Sequence, residues 1–150
     1  MNILNSIVNA PTFIVGLFIL AAIFVMAGIR YKETSVLLKK YPKEDMVLVT
    51  FGVNFFGQEG TVKKPLRSVG GLVLLKDGLY YHARFGAAEL YIPGKSLKSI
   101  GTTDYFCDKP LHQKVVSLSF LTPEGKVDRA AFRIPHPARW VHELKNRFMI

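Results

Sequence analysis

Residues 13 to 29, FIVGLFILAAIFVMAGI, constrain this chain more than any other stretch: residues 1 to 29 carry no charged side chain, and every Lys, Arg, Asp and Glu comes later. A helix needs roughly 20 apolar residues to cross ~30 Å of hydrocarbon, and this run, extended by Pro11 and Thr12, reaches the lower end of that range. The first expectation is therefore a membrane-spanning helix. Pro11 suits its first turn, where a missing N–H removes a donor that has no partner anyway, and Asn9 stands where an N-cap belongs.

The flanks give the expected orientation. Arg30, Lys32, Lys39, Lys40 and Lys43 follow the apolar run against one acid, Glu33, whereas no basic side chain precedes it. The positive-inside bias then places the amino terminus outside and the carboxyl-terminal domain in the cytoplasm. Two other readings of the stretch stay open at this point. Val25-Met26-Ala27 has the small-residue spacing of a signal-peptide cleavage site, although a signal wants a basic n-region that this chain does not have. A buried core helix is the other, although a domain of this size rarely encloses so long an uncharged run.

The expected division is a short outside tail and transmembrane helix over 1–29, a basic juxtamembrane linker over 30–45, and a cytoplasmic domain over 46–150. The formal charge of +9 belongs entirely to the aqueous part. Beside a membrane it implies attraction to anionic phospholipid, about 1 kcal/mol per Lys or Arg close to the surface. Nucleic acid is not the expected partner. Cys107 is the single cysteine, so no internal disulfide forms, in keeping with a reducing compartment. Asp104 and Asp108 beside it raise its pKa, which suits an inert thiol.

Along the chain, residues 30 to 40 continue the helix by two or three turns, with Val36, Leu37 and Tyr41 to one side, until Pro42 ends it. That extension reads equally as a basic amphipathic collar on the inner leaflet or as a plain stop-transfer segment. Met46 to Val53 reads as a strand. Asn54 to Arg67, with Gly57, Gly60 and Pro65, reads as a loop made basic by Lys63, Lys64 and Arg67. Asp77-Gly78 between Leu72–Lys76 and Leu79–Arg84 predicts a two-residue hairpin turn with both central residues at φ > 0. Glu89 to Ile92 and Leu97 to Gly101 are further strands, and Thr102 to Lys114 reads as a polar loop. Val115–Leu121 and Val127–Ile134 make a second hairpin about Thr122-Pro123-Glu124-Gly125. Pro135-His136-Pro137 then breaks the sheet, and Trp140, Val141, Leu144 and Phe148 recur at helical spacing. Short antiparallel strands closed by one amphipathic helix make an α+β domain, an antiparallel sheet or barrel capped by a C-terminal helix.

The hairpin GLVLLKDGLYYHAR over 71–84, the Ile92-Pro93 step followed by Leu97 and Ile100, two further strands, and a last helix carrying Trp140 and Leu144 resemble the pleckstrin-homology-like superfold. Within it they resemble the GRAM and bacterial PH-like families. The resemblance covers roughly residues 70 to 150. It implies a curved sheet or small barrel closed by a helix, used to bind lipid head groups, peptides or other subunits without catalytic residues. Phosphoinositide-binding members carry several basic side chains on the first hairpin, where this chain offers Lys76, His82 and Arg84.

No Walker loop, GxGxxG, HExxH or GxSxG is present. His82, His112, His136 and His142 lack metal-ligand spacing, and no paired carboxylates suggest acid–base chemistry. The expectation is a protein that is not an enzyme and needs no metal or cofactor. It would be an accessory or assembly subunit of a larger membrane complex, or alternatively an anionic-lipid-binding module at the inner leaflet. The candidate contact residues are Arg30, Lys32, Lys39, Lys40, Lys63, Lys64 and Arg67, with Phe55 and Phe56 as an exposed aromatic pair.

Overall fold

Strand β1, Met46–Gln58, is the element on which the two halves of the sheet meet. A computed structural model describes residues 10–62 and 67–150 of the chain. It divides into two units, one ending at Lys40 and the other spanning Tyr41–Ile150. In the first, α1 runs unbroken over Ala10–Lys40, 31 residues, with Pro11 in its first turn; the expected cap Asn9 lies outside the described residues.

The second unit is α+β. Its strands are β1, β2 (Ser68–Leu75), β3 (Gly78–Ala83), β4 (Glu89–Pro93), β5 (Leu97–Phe106), β6 (Lys109–Leu121) and β7 (Val127–Arg133), followed by α2 (Pro137–Phe148). They form one antiparallel sheet in the order β4-β3-β2-β1-β7-β6-β5. β1 pairs with β2 through Met46 to Phe55 and with β7 from Asn54 onward, so one strand serves both halves.

Bulges let β1 do this. Leu48 packs on the core and Thr50 bonds the core indole, whereas past the irregularity at Gly52 (φ 73°) the core residues are Val53 and Phe55. One extra residue exchanges which parity faces inward. A second irregularity, at Gly57 (φ 106°), follows Phe56. The segment read from sequence as a loop from Asn54 is thus strand as far as Gln58, and its glycine supplies a bulge.

Two further expectations are corrected. The β2–β3 hairpin forms, but Leu74 faces Leu79, which makes Lys76 and Asp77 the turn and Gly78 the first residue of β3. Neither Asp77 nor Gly78 takes a positive φ. Neighbours hold this turn instead: Lys76 N donates to Asp45 O (3.0 Å), Gly94 N donates to Asp77 O (2.7 Å), and Lys76 Nζ pairs with Asp45 Oδ1 (3.3 Å). Gly78 is needed because a Cβ there would lie 2.6 Å from Ile92 O of β4. The polar stretch 102–114 is also not a loop. β5 and β6 run through it to a tight turn at Cys107 and Asp108 (φ 50° and 57°), since Phe106 and Leu111 are both buried.

The main core lies inside the curved sheet, where Leu72, Leu74, Tyr81, Ile92, Leu118 and Phe132 meet Trp140 and Leu144 of α2. Trp140 is 1% exposed, and its Nε1–H donates to Thr50 Oγ1 at 3.0 Å. Pro137 at the start of α2, as expected from sequence, sets its entry, and Val141 and Phe148 pack at the core's edge.

Candidate partner- and lipid-facing surfaces

Hydropathy makes α1 continuous, and its geometry decides what it presents. At about 1.5 Å per residue the apolar run is ~26 Å long and the helix continues ~16 Å past it. Eleven large apolar side chains between Phe13 and Met26 are exposed, Phe13, Phe18 and Phe24 by 70–71%. Leaving so many in water costs on the order of 10–20 kcal/mol, as much as the whole stability of an ordinary domain. This helix is long and apolar enough to span a membrane, and none of its apolar span is buried within the chain.

Arg30, Lys32, Lys39 and Lys40 are all exposed on the same helix. At about 100° per residue Lys32 and Lys39 share one side, Lys40 sits about a quarter turn on, and Arg30 lies about 160–180° away. The cations therefore ring the helix instead of lining one face.

In the second unit the expected cluster changes composition. Lys63 and Lys64, with Pro65, lie outside the described residues. Arg67 is exposed, and its guanidinium carbon stands 5.9 Å from the centroid of the Phe56 ring. Phe55 and Phe56 are 7% and 1% exposed, which overturns their reading as an exposed contact pair. Phe55 points into the main core, its ring centroid 4.9 Å from Phe132 and 4.8 Å from Tyr81. Phe56, on the opposite side of the strand, enters a second apolar cluster with Phe106, Leu111, Val115 and Ala131.

That second cluster is roofed by the β5–β6 tip, which polar contacts lock to the chain after β1. Asp128, the one buried acid among the described residues, accepts from Gly60 N (2.9 Å), Gln58 Nε2 (3.4 Å) and Arg129 N (2.7 Å). Arg129 pairs with Glu59 and lies over Phe106, its Cζ 5.8 Å from the ring centroid. Cys107 N donates to Glu59 Oε1 (3.3 Å), and its thiol donates to Val62 O (3.5 Å). Burial pushes the Cys107 pKa up, and the carboxylate of Glu59 adds to it, against the opposing pull of Arg129. The thiol stays protonated and unreactive at neutral pH. No local sequence pattern marks Glu59, Asp128 and Arg129 as partners, because the turn after β1 and strand β7 lie some 70 residues apart.

At the other end of the sheet Tyr41 packs edge-on against Tyr80 (centroids 5.1 Å apart, 61°), and burial, with the Asp77 carboxylate nearby, pushes the Tyr91 phenol up. Burial, with the neighbouring Tyr41, pushes the Tyr80 phenol up to about 12. A cleft of about 520 Å³ opens between β4 and the β6–β7 turn, with Leu90 and Phe120 at its base and Asp128 at its rim. Its carboxylate is already engaged by the loop it clamps. Among the described residues no three His, Cys, Asp or Glu side chains gather as metal ligands. His82 lies in β3, His112 in β6, His136 just before α2, and His142 on α2 beside Asn146 (2.8 Å).

No family model matches the sequence, and no curated protein matches it. Solved structures do match by shape. A chain of the 8S snRNP assembly intermediate superposes with a TM-score of 0.50 at 11% identity, covering 72% of this chain and 82% of that one. The C-terminal domain of an unknown protein from Leishmania infantum gives 0.52 at 13% identity, covering 78% and 98%. At such identities the likeness shows the fold alone: an antiparallel seven-stranded sheet with a C-terminal helix, compatible with a pleckstrin-homology-like domain.

Proposed function

We propose that this chain is a non-catalytic, single-pass membrane protein whose pleckstrin-homology-like domain, of GRAM or bacterial type, serves as a binding module, making it an accessory or assembly subunit of a larger membrane complex. The observation that carries this reading is the unburied apolar length of α1. Lipid and the helices of a partner are the media that can cover it. The ring of Arg30, Lys32 and Lys39 supports a helix that leaves the bilayer as a stalk, since a helix lying on the surface keeps its cations on one face. The tail is outside and the domain cytoplasmic, by the charge difference across the helix. Purification of the intact tagged chain in mild detergent, followed by native mass measurement, is the test. A stoichiometric companion retained at moderate salt is expected, and a lone chain would overturn the subunit reading.

A second reading, attachment to anionic phospholipid, draws on the exposure of Arg30, Lys32 and Lys39 just past the apolar run and of Arg67 on the domain. Residues 30 to 150 would then bind vesicles containing about one-third anionic lipid and release them steeply as salt rises, because the Debye length shrinks from about 10 Å at 0.1 M to about 3 Å at 1 M. Binding that does not change with salt would exclude it.

A further inference from the structure

β5 is the last strand of the sheet and, among the described residues, pairs with β6 alone. Its other side presents backbone donors and acceptors to whatever comes next. The register against β6 is regular from Ser99 to Thr103 and irregular on either side, between Leu97 and Ser99 and between Thr103 and Tyr105. Past the second irregularity the edge closes on itself: Thr103 Oγ1 donates to Tyr105 O (2.9 Å) and accepts from Tyr105 N (3.1 Å). The regular length is therefore Ser99 to Thr103, with Lys98 and Asp104 the residues that flank it at either end. Lys98 and Asp104 stand exposed at its two ends, and neither makes an ion pair among the described residues.

Gly101 is at the midpoint. Nothing in this domain asks for a glycine there, since its φ is not positive and a Cβ would meet no atom within 4 Å. Gly70 and Gly78 are different, because a Cβ on them would lie 2.0 Å from His82 O and 2.6 Å from Ile92 O. Gly101 leaves the middle of this edge without a side chain, so nothing there stands in the way of an approaching strand.

We infer that β5 pairs antiparallel with β5 of a second copy of this chain, about a two-fold axis through Gly101. Such an axis sets Gly101 against itself, Ile100 against Thr102, Ser99 against Thr103 and Lys98 against Asp104. Opposite charges then come together twice per pair, one residue beyond the regular length at each end, where the long lysine side chain reaches across. Moving the axis by one residue in either direction sets Lys98 against Thr102 or Phe106 and destroys both pairs. On the other edge, β4, an axis through its midpoint Tyr91 opposes Glu89 to Pro93 and brings no opposite charges together.

The test uses the full chain in detergent. Gly101→Cys should yield a disulfide-linked dimer under mild oxidation, because the two sulfurs meet at the axis. Tyr105→Cys, about 26 Å from its own copy at ~3.3 Å per residue, should not, and neither should the native chain with Cys107 alone. Lys98→Glu or Asp104→Lys creates two like-charge pairs and should weaken the dimer at least about tenfold, and the double exchange should restore it. A monomer at every concentration overturns the inference. So does a dimer that ignores these charges or cross-links equally through position 105, since its contacts then lie elsewhere, α1 included. Circular dichroism checks the fold of each variant, and if Gly101→Cys does not fold, the three charge variants decide alone.

Discussion

Trp140 is the only tryptophan of the chain, it is 1% exposed, and its N–H has one partner, Thr50. Replacing Thr50 by Val keeps the shape and orphans that donor, which should cost about 1–3 kcal/mol in denaturant unfolding. The indole itself reports the transition by its emission. A change smaller than about 0.5 kcal/mol would mean that the donor finds water instead. Tyr80 supplies a pH signature. Its folded pKa is raised from 10.0 to about 12 by burial and then by Tyr41, so the folded state holds this proton more tightly than the unfolded chain. Its contribution is complete below pH ~10 and lost as pH climbs toward ~12. The melting temperature should fall across that window, and the fall should be shallower in Tyr80→Phe. The raised pKa values of Tyr41 and Tyr91 leave some slope behind.

At the scale of elements, the β5–β6 tip depends on the outer apolar cluster as much as on its own ladder. Phe106 is fully buried there, so Phe106→Ala should cost about 3–5 kcal/mol if the loss is global, or free the tip alone if it opens locally. Alkylation of Cys107 distinguishes the two. A rate at least tenfold higher with an unchanged melting temperature means local release, and a faster rate accompanied by a matching fall in melting temperature means one cooperative unit. The sequence announced some of these elements and hid others. An uninterrupted apolar run revealed α1, and hydrophobic spacing revealed the hairpins and α2, with Trp140 and Leu144 facing inward, because a period of 3.6 or 2 survives in a local window. It failed where tertiary contacts overrode local chemistry. Asp77-Gly78 has the composition of a type I′ turn, yet Asp45 and Gly94 hold the chain one residue earlier. Gly57 looked like a loop glycine and is a bulge, which placed Phe55 and Phe56 wrongly on the surface. Asp128 and the Glu59–Arg129 pair were invisible because their partners are remote in sequence.

On the scale of the whole molecule, the proposed anchoring turns on α1. Ala22→Arg near the middle of the apolar run should add about 2.5–3.5 kcal/mol to membrane insertion. The expected result is a shift from the alkali-resistant membrane fraction to the extractable one, whereas an unchanged fraction would mean that the helix does not span. Making the protein also takes time, and β1 bears the consequence. It leaves the ribosome soon after α1, finds β2 within moments, and must then wait for β7, since Phe55 pairs with Phe132. At ~5–20 residues per second that delay is about 4–15 s for each new chain. Throughout it, the nascent chain keeps one side of its central strand unclaimed, and any helper that shields that strand during synthesis has those seconds in which to act.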